Sequence, residues 1–242
     1  MDTRASENLA VGSASGPVLV IAAHPDDEVL GCGGTMAAHA LAGRSVHVLI
    51  MTDGVGARTE GRSSAKGATN RAEAARRAAA ILGAHEPQMQ TYPDNAMDTC
   101  PLLDVIRVVE ASVNELRPST VYTHHCGDLN IDHEIVHRAV LVACRPLPGH
   151  PVREIFSFPV RSSTEWRGPS SATVFTPSLY VDISRTLEKK LKALAAYDME
   201  MREPPHSRSL QAVEAQARVD GATVGLAAAE PFEVVRIVRE EG

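Results

Sequence analysis

The sequence predicts an α/β fold, a layered sandwich around a mainly parallel sheet, and three observations carry that expectation. Short β-branched apolar runs alternate with stretches of strong helix formers, the pattern of repeated strand–helix–strand units. The first run, Val18 to Ala22 (VLVIA), is apolar at every position, as a strand covered on both faces requires. The clusters richest in His and Asp fall directly after two such runs, where open parallel sheets bind their ligands. At 242 residues the chain fits one domain with a single sizeable core.

The elements follow in order. After the first strand and the polar run AHPDDE, the small residues of GCGGTMAAHALAG and the closing Gly43 suit a helix packed tightly on the sheet. Ser45 to Thr52 reads as a second strand. Asp53 to Thr69 is rich in Gly, Arg and Ser and long for a strand–helix connection, so it is a candidate mobile loop over a site. Asn70 to Leu82 has an Asn start, strong helix formers and a stop at Gly83. A third strand is expected at Gln88 to Tyr92, a helix at Leu102 to Leu116, a fourth strand at Thr120 to Thr123 behind Pro118, and a helix at His133 to Cys144. Beyond Pro148 come strand-like pieces (Glu154 to Phe158, Ser178 to Val181), then a helix over Ser184 to Tyr197. The turn-prone MREPPHSRS, a final helical stretch and a strand at Phe232 to Val238 complete the chain. There is no internal repeat and no domain boundary. Residues 1–16 read as a flexible lead-in, residues 17–242 as the domain, and the last third is expected to extend the same sheet and wall a pocket.

Composition excludes several classes. A net charge of −6, with Arg scattered among carboxylates, leaves no basic patch for nucleic acid. No apolar run approaches the ~20 residues of a membrane span, and the first sixteen residues lack the apolar core of a signal peptide. Cys32, Cys100, Cys126 and Cys144 are far apart and form no CxxC pair, against a cysteine metal cage or a disulfide framework. A reducing, cytoplasmic setting and a soluble small-molecule partner are the expectation, with a homo-oligomer left open.

Two clusters carry chemistry. The first is His24-Pro25-Asp26-Asp27-Glu28, directly after the first strand. Three successive carboxylates beside a His repel one another unless a cation compensates, although acids at a helix N-terminus are the plainer alternative. Neighbouring residues in a turn aim in different directions, so one of Asp26 and Asp27 can ligate a metal while the other faces water. The second cluster, Thr123 to His133 at the end of the fourth strand, offers a further nitrogen ligand. Two His, one carboxylate and an open position form a recurrent catalytic zinc arrangement, and zinc suits an N/O site better than calcium or magnesium. Zinc lowers the pKa of its water toward ~7, and a neighbouring carboxylate can move the proton to a leaving amine, which is the machinery of amide hydrolysis. His133 and His137, four apart on a helix, are an alternative metal pair that lacks the HExxH pattern. His39, His47 and His85 read as structural or solvated, Gly31, Gly33 and Gly34 as close-packing residues, and no GxSxG elbow is present.

AHPDDEVLGCGG followed by GDLNIDH resembles the PIG-L/LmbE-like family of zinc-dependent N-deacetylases, over nearly the whole chain after residue 16. The resemblance implies a Rossmann-like three-layer sandwich and hydrolysis of N-acetyl groups on glucosamine-containing substrates or related amides. It implies zinc ligation by His24, Asp27 and His133, with Asp26 as general base toward a metal-activated water. Asp128 and Asp132 are then expected to support the ligands. Arg71 sits where members often place a substrate-contacting Arg, and YPDNAMD is similar to a family segment that makes Asp94 and Asn95 pocket residues. Many members carry His-Pro-Asp-His where this chain has Asn130-Ile131-Asp132-His133. Asn130 can donate to an oxyanion but cannot shuttle a proton, so His125, His124 or the late His206 is expected to take that role. Arg208 is a candidate for a substrate phosphate or carboxylate, and the single Trp, Trp166, for stacking on a sugar. The expected substrate is a soluble amino-sugar metabolite, antibiotic precursors of secondary metabolism included. The alternatives are an N-acylated thiol conjugate or other non-sugar amide, and a catalytically silent sugar-binding protein.

Overall fold

In a computed structural model, which describes residues 15–54, 65–168 and 174–239, seven strands form one sheet. They are β1 (Val18–Ala22), β2 (Val46–Thr52), β3 (Gln88–Tyr92), β4 (Thr120–His124), β5 (Glu154–Phe158), β6 (Leu179–Asp182) and β7 (Ala229–Ile237), in the order β3-β2-β1-β4-β5-β7-β6. The first five strands in that order pair in parallel. β7 runs antiparallel between β5 and β6, so the last third of the chain extends the sheet, as expected. Among the described residues six α-helices accompany them: α1 (Asp27–Leu41), α2 (Ala65–Leu82), α3 (Leu102–Leu116), α4 (Ile131–Ala143), α5 (Leu187–Ala195) and α6 (Leu210–Thr223).

Strand alternation sorts the core into two layers of apolar contact. Val18 and Val20 face α1, α2, α5 and α6, while Leu19 and Ile21 face α3 and α4. This period of two, on strands buried throughout, is why VLVIA has no polar position and why the sandwich has three layers. The chain crosses from one side of β1 to the other between β3 and β4. A crevice therefore opens at the carboxyl ends of β1 and β4, which are hydrogen-bonded neighbours.

Most expected elements stand where the sequence places them, with shifts that have local causes. α2 begins at Ala65, not Asn70, so the end of the expected loop is helical; residues 55–64 lie outside the described residues, as does most of the expected flexible segment 1–16. Gly16 itself is anchored, its carbonyl accepting from Arg44 Nε and Nη2 at 2.9 and 2.7 Å. α4 begins two residues early because Asn130 caps it, its side chain accepting from the Asp132 amide. The four cysteines are unpaired. Among the described residues no helix is long and apolar enough to cross a membrane.

α1 is bent at Cys32, where φ is −146°, and the bend releases backbone amides. A buried carboxylate satisfies them: Glu230 on β7 accepts from the amides of Gly34 and Thr35 at 2.9 and 2.7 Å. Lys190 of α5 neutralises Glu230 at 2.6 Å and donates to the Leu30 carbonyl at 2.9 Å. The glycines of α1 let the helix reach the sheet. A Cβ on Gly31 would lie 2.2 Å from a ring carbon of Phe158, and one on Gly34 would lie 2.7 Å from Ile183. Gly31→Ala is therefore expected to lower stability by about 1–3 kcal/mol through overpacking, read as a shift of the urea midpoint. An unchanged midpoint would mean that α1 has room to spare.

Candidate active site

The first cluster leaves β1 into the turn that opens α1. Asp26 adopts φ 116°, ψ −27°, a conformation that costs a non-glycine residue about 1–3 kcal/mol. Its carbonyl accepts from the amides of Val29 and Leu30 at 3.0 and 2.9 Å, closing the first turn of α1. The turn separates the two aspartates. Asp27 points to His24 and His133, whereas Asp26 points to Arg208, whose Nη1 lies 2.9 Å from Asp26 Oδ2.

Three donor atoms then converge. Asp27 Oδ2 lies 3.0 Å from His24 Nδ1 and 3.1 Å from His133 Nε2, and the two ring nitrogens are 3.3 Å apart. The outer nitrogens face carboxylates, which favour the tautomers with the ring proton on that side. His24 Nε2 meets Asp132 Oδ2 at 3.0 Å and Asp94 Oδ1 at 3.2 Å, and His133 Nδ1 lies 3.1 Å from Asp128 Oδ1. Carboxylates there attract the ring protons, so His24 Nδ1 and His133 Nε2 present lone pairs to each other and to Asp27. Asp27 Oδ1 is buried and has no hydrogen-bond partner among the described residues. Lone pairs packed this closely need a cation or shared protons between them. Burial works to lower the pKa of both rings, but Asp132, Asp27 and Asp94 hold His24 well above its ordinary value, and Asp27 and Asp128 raise His133. Burial likewise works against the Asp27 carboxylate, yet His133 and His24 keep it well below the ordinary range. Ligands about 2.0–2.1 Å from a tetrahedral zinc stand about 3.3 Å apart, so this donor set fits such an ion. A second group of possible donors, His24, Asp94 and Asp132, lies on the outer side of the same ring.

The supports of these ligands are themselves fixed. Asp132 accepts from the amides of Asn95 and Met97 at 2.7 and 3.0 Å. Asp128 accepts from the hydroxyls of Ser163 and Thr164 and from the Asn130 amide. His124 stacks on the His133 ring, centroids 3.9 Å apart, and its Nε2 accepts from the Ala23 amide at 2.8 Å. Burial first, and His133 beside it, push the pKa of His124 well down, so it stays neutral.

A cleft of about 170 Å³ opens over this centre, lined by His24, Pro25, Asp26, Gly54, Arg71, Asp94, Asn95, Asn130, Glu200 and Arg208. Burial pushes the Asp26 carboxyl up to about 8, Arg208 pulling the other way and Asp27, Glu200 and Glu28 adding to the rise. Arg71 is buried, with Nε and Nη2 on Glu200 Oε1 at 3.0 and 2.9 Å and Nη1 without a hydrogen-bond partner among the described residues. Asn130 Nδ2 donates to Asn95 Oδ1 at 2.8 Å.

Of the residues singled out from sequence, Asp26, Arg71, Asp94, Asn95, Asn130 and Arg208 share this cleft with His24. His125 and His206 do not line it. Successive residues leaving β4 point to opposite sides, and His125 turns toward β7, its Nδ1 2.7 Å from Glu233 Oε2. His206 Nδ1 accepts from the Arg208 amide, and its ring meets the edge of Trp166. His137 contacts the His124 carbonyl at 2.8 Å and stands outside both possible donor groups. Sequence reasoning passes over Ser163, Thr164, Tyr197 and Glu200, which belong to no motif and reach the centre by folding.

Fold and site define an α/β protein with a two-His, one-carboxylate donor centre at the switch point of its sheet. The sequence profile of PIG-L, described as GlcNAc-PI de-N-acetylase, matches residues 19–144, and the chain belongs to that family. The Escherichia coli (strain K12) protein named uncharacterized deacetylase YaiS is 37% identical over 139 residues, 54% of this chain and 69% of its own. The conserved protein TT1542 from Thermus thermophilus superposes with TM-score 0.72 at 28% identity, covering 93% of this chain and 96% of its own. The N,N'-diacetylchitobiose deacetylase from Pyrococcus horikoshii does so with TM-score 0.73 at 20% identity, over 91% and 84%, which is a likeness of fold.

Asp132 contacts the outer nitrogen of the His24 ring, so Asp132→Ala is expected to weaken binding of a divalent metal by the inner donors about 10- to 100-fold in a competition titration against a chromophoric chelator. Undiminished affinity would separate Asp132 from the metal centre.

Proposed function

We propose that this chain is a zinc-dependent amide hydrolase that removes an acetyl group from the nitrogen of an amino-sugar-containing small molecule. The observation that carries the reading is the juxtaposition, in one cleft, of a convergent His24, Asp27 and His133 donor set with a separate, Arg-bound carboxylate, Asp26. The deacetylase names of the family and of YaiS support the reaction, and the name of the Pyrococcus horikoshii enzyme supports an amino sugar.

His24 Nδ1, Asp27 and His133 Nε2 would hold the ion. When bound, zinc supplies a Lewis acid that polarises the acyl oxygen and lowers the pKa of water. Asp26, poised near 8, accepts the proton of the attacking water and returns it to the departing amine. One group thus serves as base and then as acid, which answers the loss of a histidine at Asn130. Arg208 orients the Asp26 carboxylate and favours its ionised form. Asn130 has an amide hydrogen beyond the one given to Asn95 and can offer it to an oxyanion. Arg71 Nη1, Asp94 and Asn95 present donors and acceptors that suit sugar hydroxyls.

The test is acetate release by the zinc-loaded protein from free N-acetylglucosamine, nucleotide-linked N-acetyl amino sugars, pseudo-disaccharides and N-acetylated thiol conjugates. Release from an amino sugar is expected. Release from thiol conjugates alone would move the substrate class, and none at all would overturn the reading. Asp26→Ala is expected to keep its zinc while kcat falls by about 10²- to 10⁴-fold; normal turnover would remove Asp26 from the chemistry. His133→Ala is expected to lose zinc occupancy, measured by elemental analysis, and full occupancy would place the ligand elsewhere.

A further inference from the structure

We infer that Tyr197 is a positioning residue that acts through Glu28 to hold Asp26 in its working conformation, an inference that rests on the reading of Asp26 as the proton carrier. The Tyr197 hydroxyl donates to Glu28 Oε1 at 2.6 Å, and Glu28 Oε2 accepts the backbone N–H of Asp26 at 3.1 Å. Tyr197 and Glu28 are 1% and 2% exposed, so neither bond is shared with bulk water.

The relay meets a backbone that needs holding. At φ 116° Asp26 occupies a conformation that L residues leave when released. Two anchors oppose release. The Asp26 carbonyl is tied to the first turn of α1, and its N–H is tied to Glu28. The second anchor is as firm as the Glu28 carboxylate, and Tyr197 fixes that carboxylate from the far side of the site. If the Asp26 peptide rotates, its side chain leaves Arg208 and the cleft. A displacement of about 1 Å in a reacting group can cost about 100-fold in rate.

Tyr197 lies just beyond the end of α5, and its carbonyl accepts from the Glu200 amide at 2.8 Å. Glu200 carries Arg71. One turn after α5 thus braces two cleft residues, Asp26 through Glu28 and Arg71 through Glu200. Only the first path runs through the tyrosine hydroxyl, so Tyr197→Phe isolates it.

The experiment compares zinc-loaded wild type, Tyr197→Phe, Glu28→Ala, Glu28→Gln and the Tyr197→Phe/Glu28→Ala double variant, with Asp26→Ala as the baseline. The readouts are zinc content, kcat and KM for acetate release from the fastest substrate of the panel above, and the crystal structure of Tyr197→Phe. The expected result is a fall in kcat of roughly 10- to 100-fold in Tyr197→Phe, with KM and zinc content within about twofold of wild type. Glutamine can accept from Asp26 N–H and donate to the tyrosine oxygen, so Glu28→Gln should keep more turnover than Glu28→Ala. In the Glu28→Ala background Tyr197→Phe should cost nothing further. In the crystal, Asp26 should leave its positive φ and its contact with Arg208.

Wild-type kcat in Tyr197→Phe overturns the inference, and so does an unmoved Asp26 in its crystal structure, a result that needs no substrate. Loss of zinc or a rise in KM matching the fall in kcat also overturns it, leaving Tyr197 a residue of the fold. Full turnover in Asp26→Ala sinks the reading of Asp26 instead, whatever Tyr197→Phe does. If Tyr197→Phe does not fold, equal kcat in Glu28→Gln and Glu28→Ala overturns the inference, and a clear gain in Glu28→Gln supports it.

Discussion

Three lone-pair donors held 3.0–3.3 Å apart in a buried place are unstable by themselves, and the architecture around them works to keep them together. Each comes from a different position at the carboxyl edge of the sheet: His24 from the turn after β1, Asp27 from the start of α1, His133 from the first turn of α4. β1 and β4 must be adjacent for these positions to meet, so the switch in strand order is a condition of the site. The outer carboxylates Asp94, Asp128 and Asp132 then decide which nitrogen of each ring faces inward. The cluster is a place prepared for positive charge, and the raised pKa of both imidazoles expresses the same demand.

The same arrangement divides labour between two adjacent aspartates. Asp27 is surrounded by imidazoles and held ionised, while Asp26, one residue earlier, is pushed up to about 8. Two adjacent carboxylates with opposed shifts sit in opposed environments, the pattern that lets one fold keep one carboxyl ionised and another protonated. Asp26 holds a positive φ at the turn where the two side chains part. That strain is met by hydrogen bonds on both sides of the Asp26 residue, and the buried Lys190–Glu230 pair holds the bent helix that follows.

Much of this is legible in the sequence, and what is not has identifiable causes. The strands β1 and β2 announce themselves because buried strands are short, largely apolar runs between turn residues. The start of α2 is hidden, since AKGAT carries no amphipathic pattern. The insertion of β7 between β5 and β6 is hidden too, because a strand's own residues do not name its neighbours. In the site, HPDDE and the DLNIDH segment mark the centre locally. The choice between Asp26 and Asp27 needed family resemblance or coordinates, as both are equal in composition. His125 is one of the three histidines expected to take the proton-transfer role, yet strand alternation turns it to Glu233. Tyr197 and Glu200 escape notice because their partners Glu28 and Arg71 lie 169 and 129 residues away.

The most direct test of the account is anomalous scattering at the zinc edge from crystals of the zinc-loaded protein. His24 has donors on both sides of its ring, so the ion's position discriminates. The account predicts one strong peak bonded to His24 Nδ1, Asp27 and His133 Nε2 at about 2.0–2.1 Å, with Asp26 facing the open side. A peak on His24 Nε2 with Asp94 and Asp132, and none among the inner three donors, would contradict it.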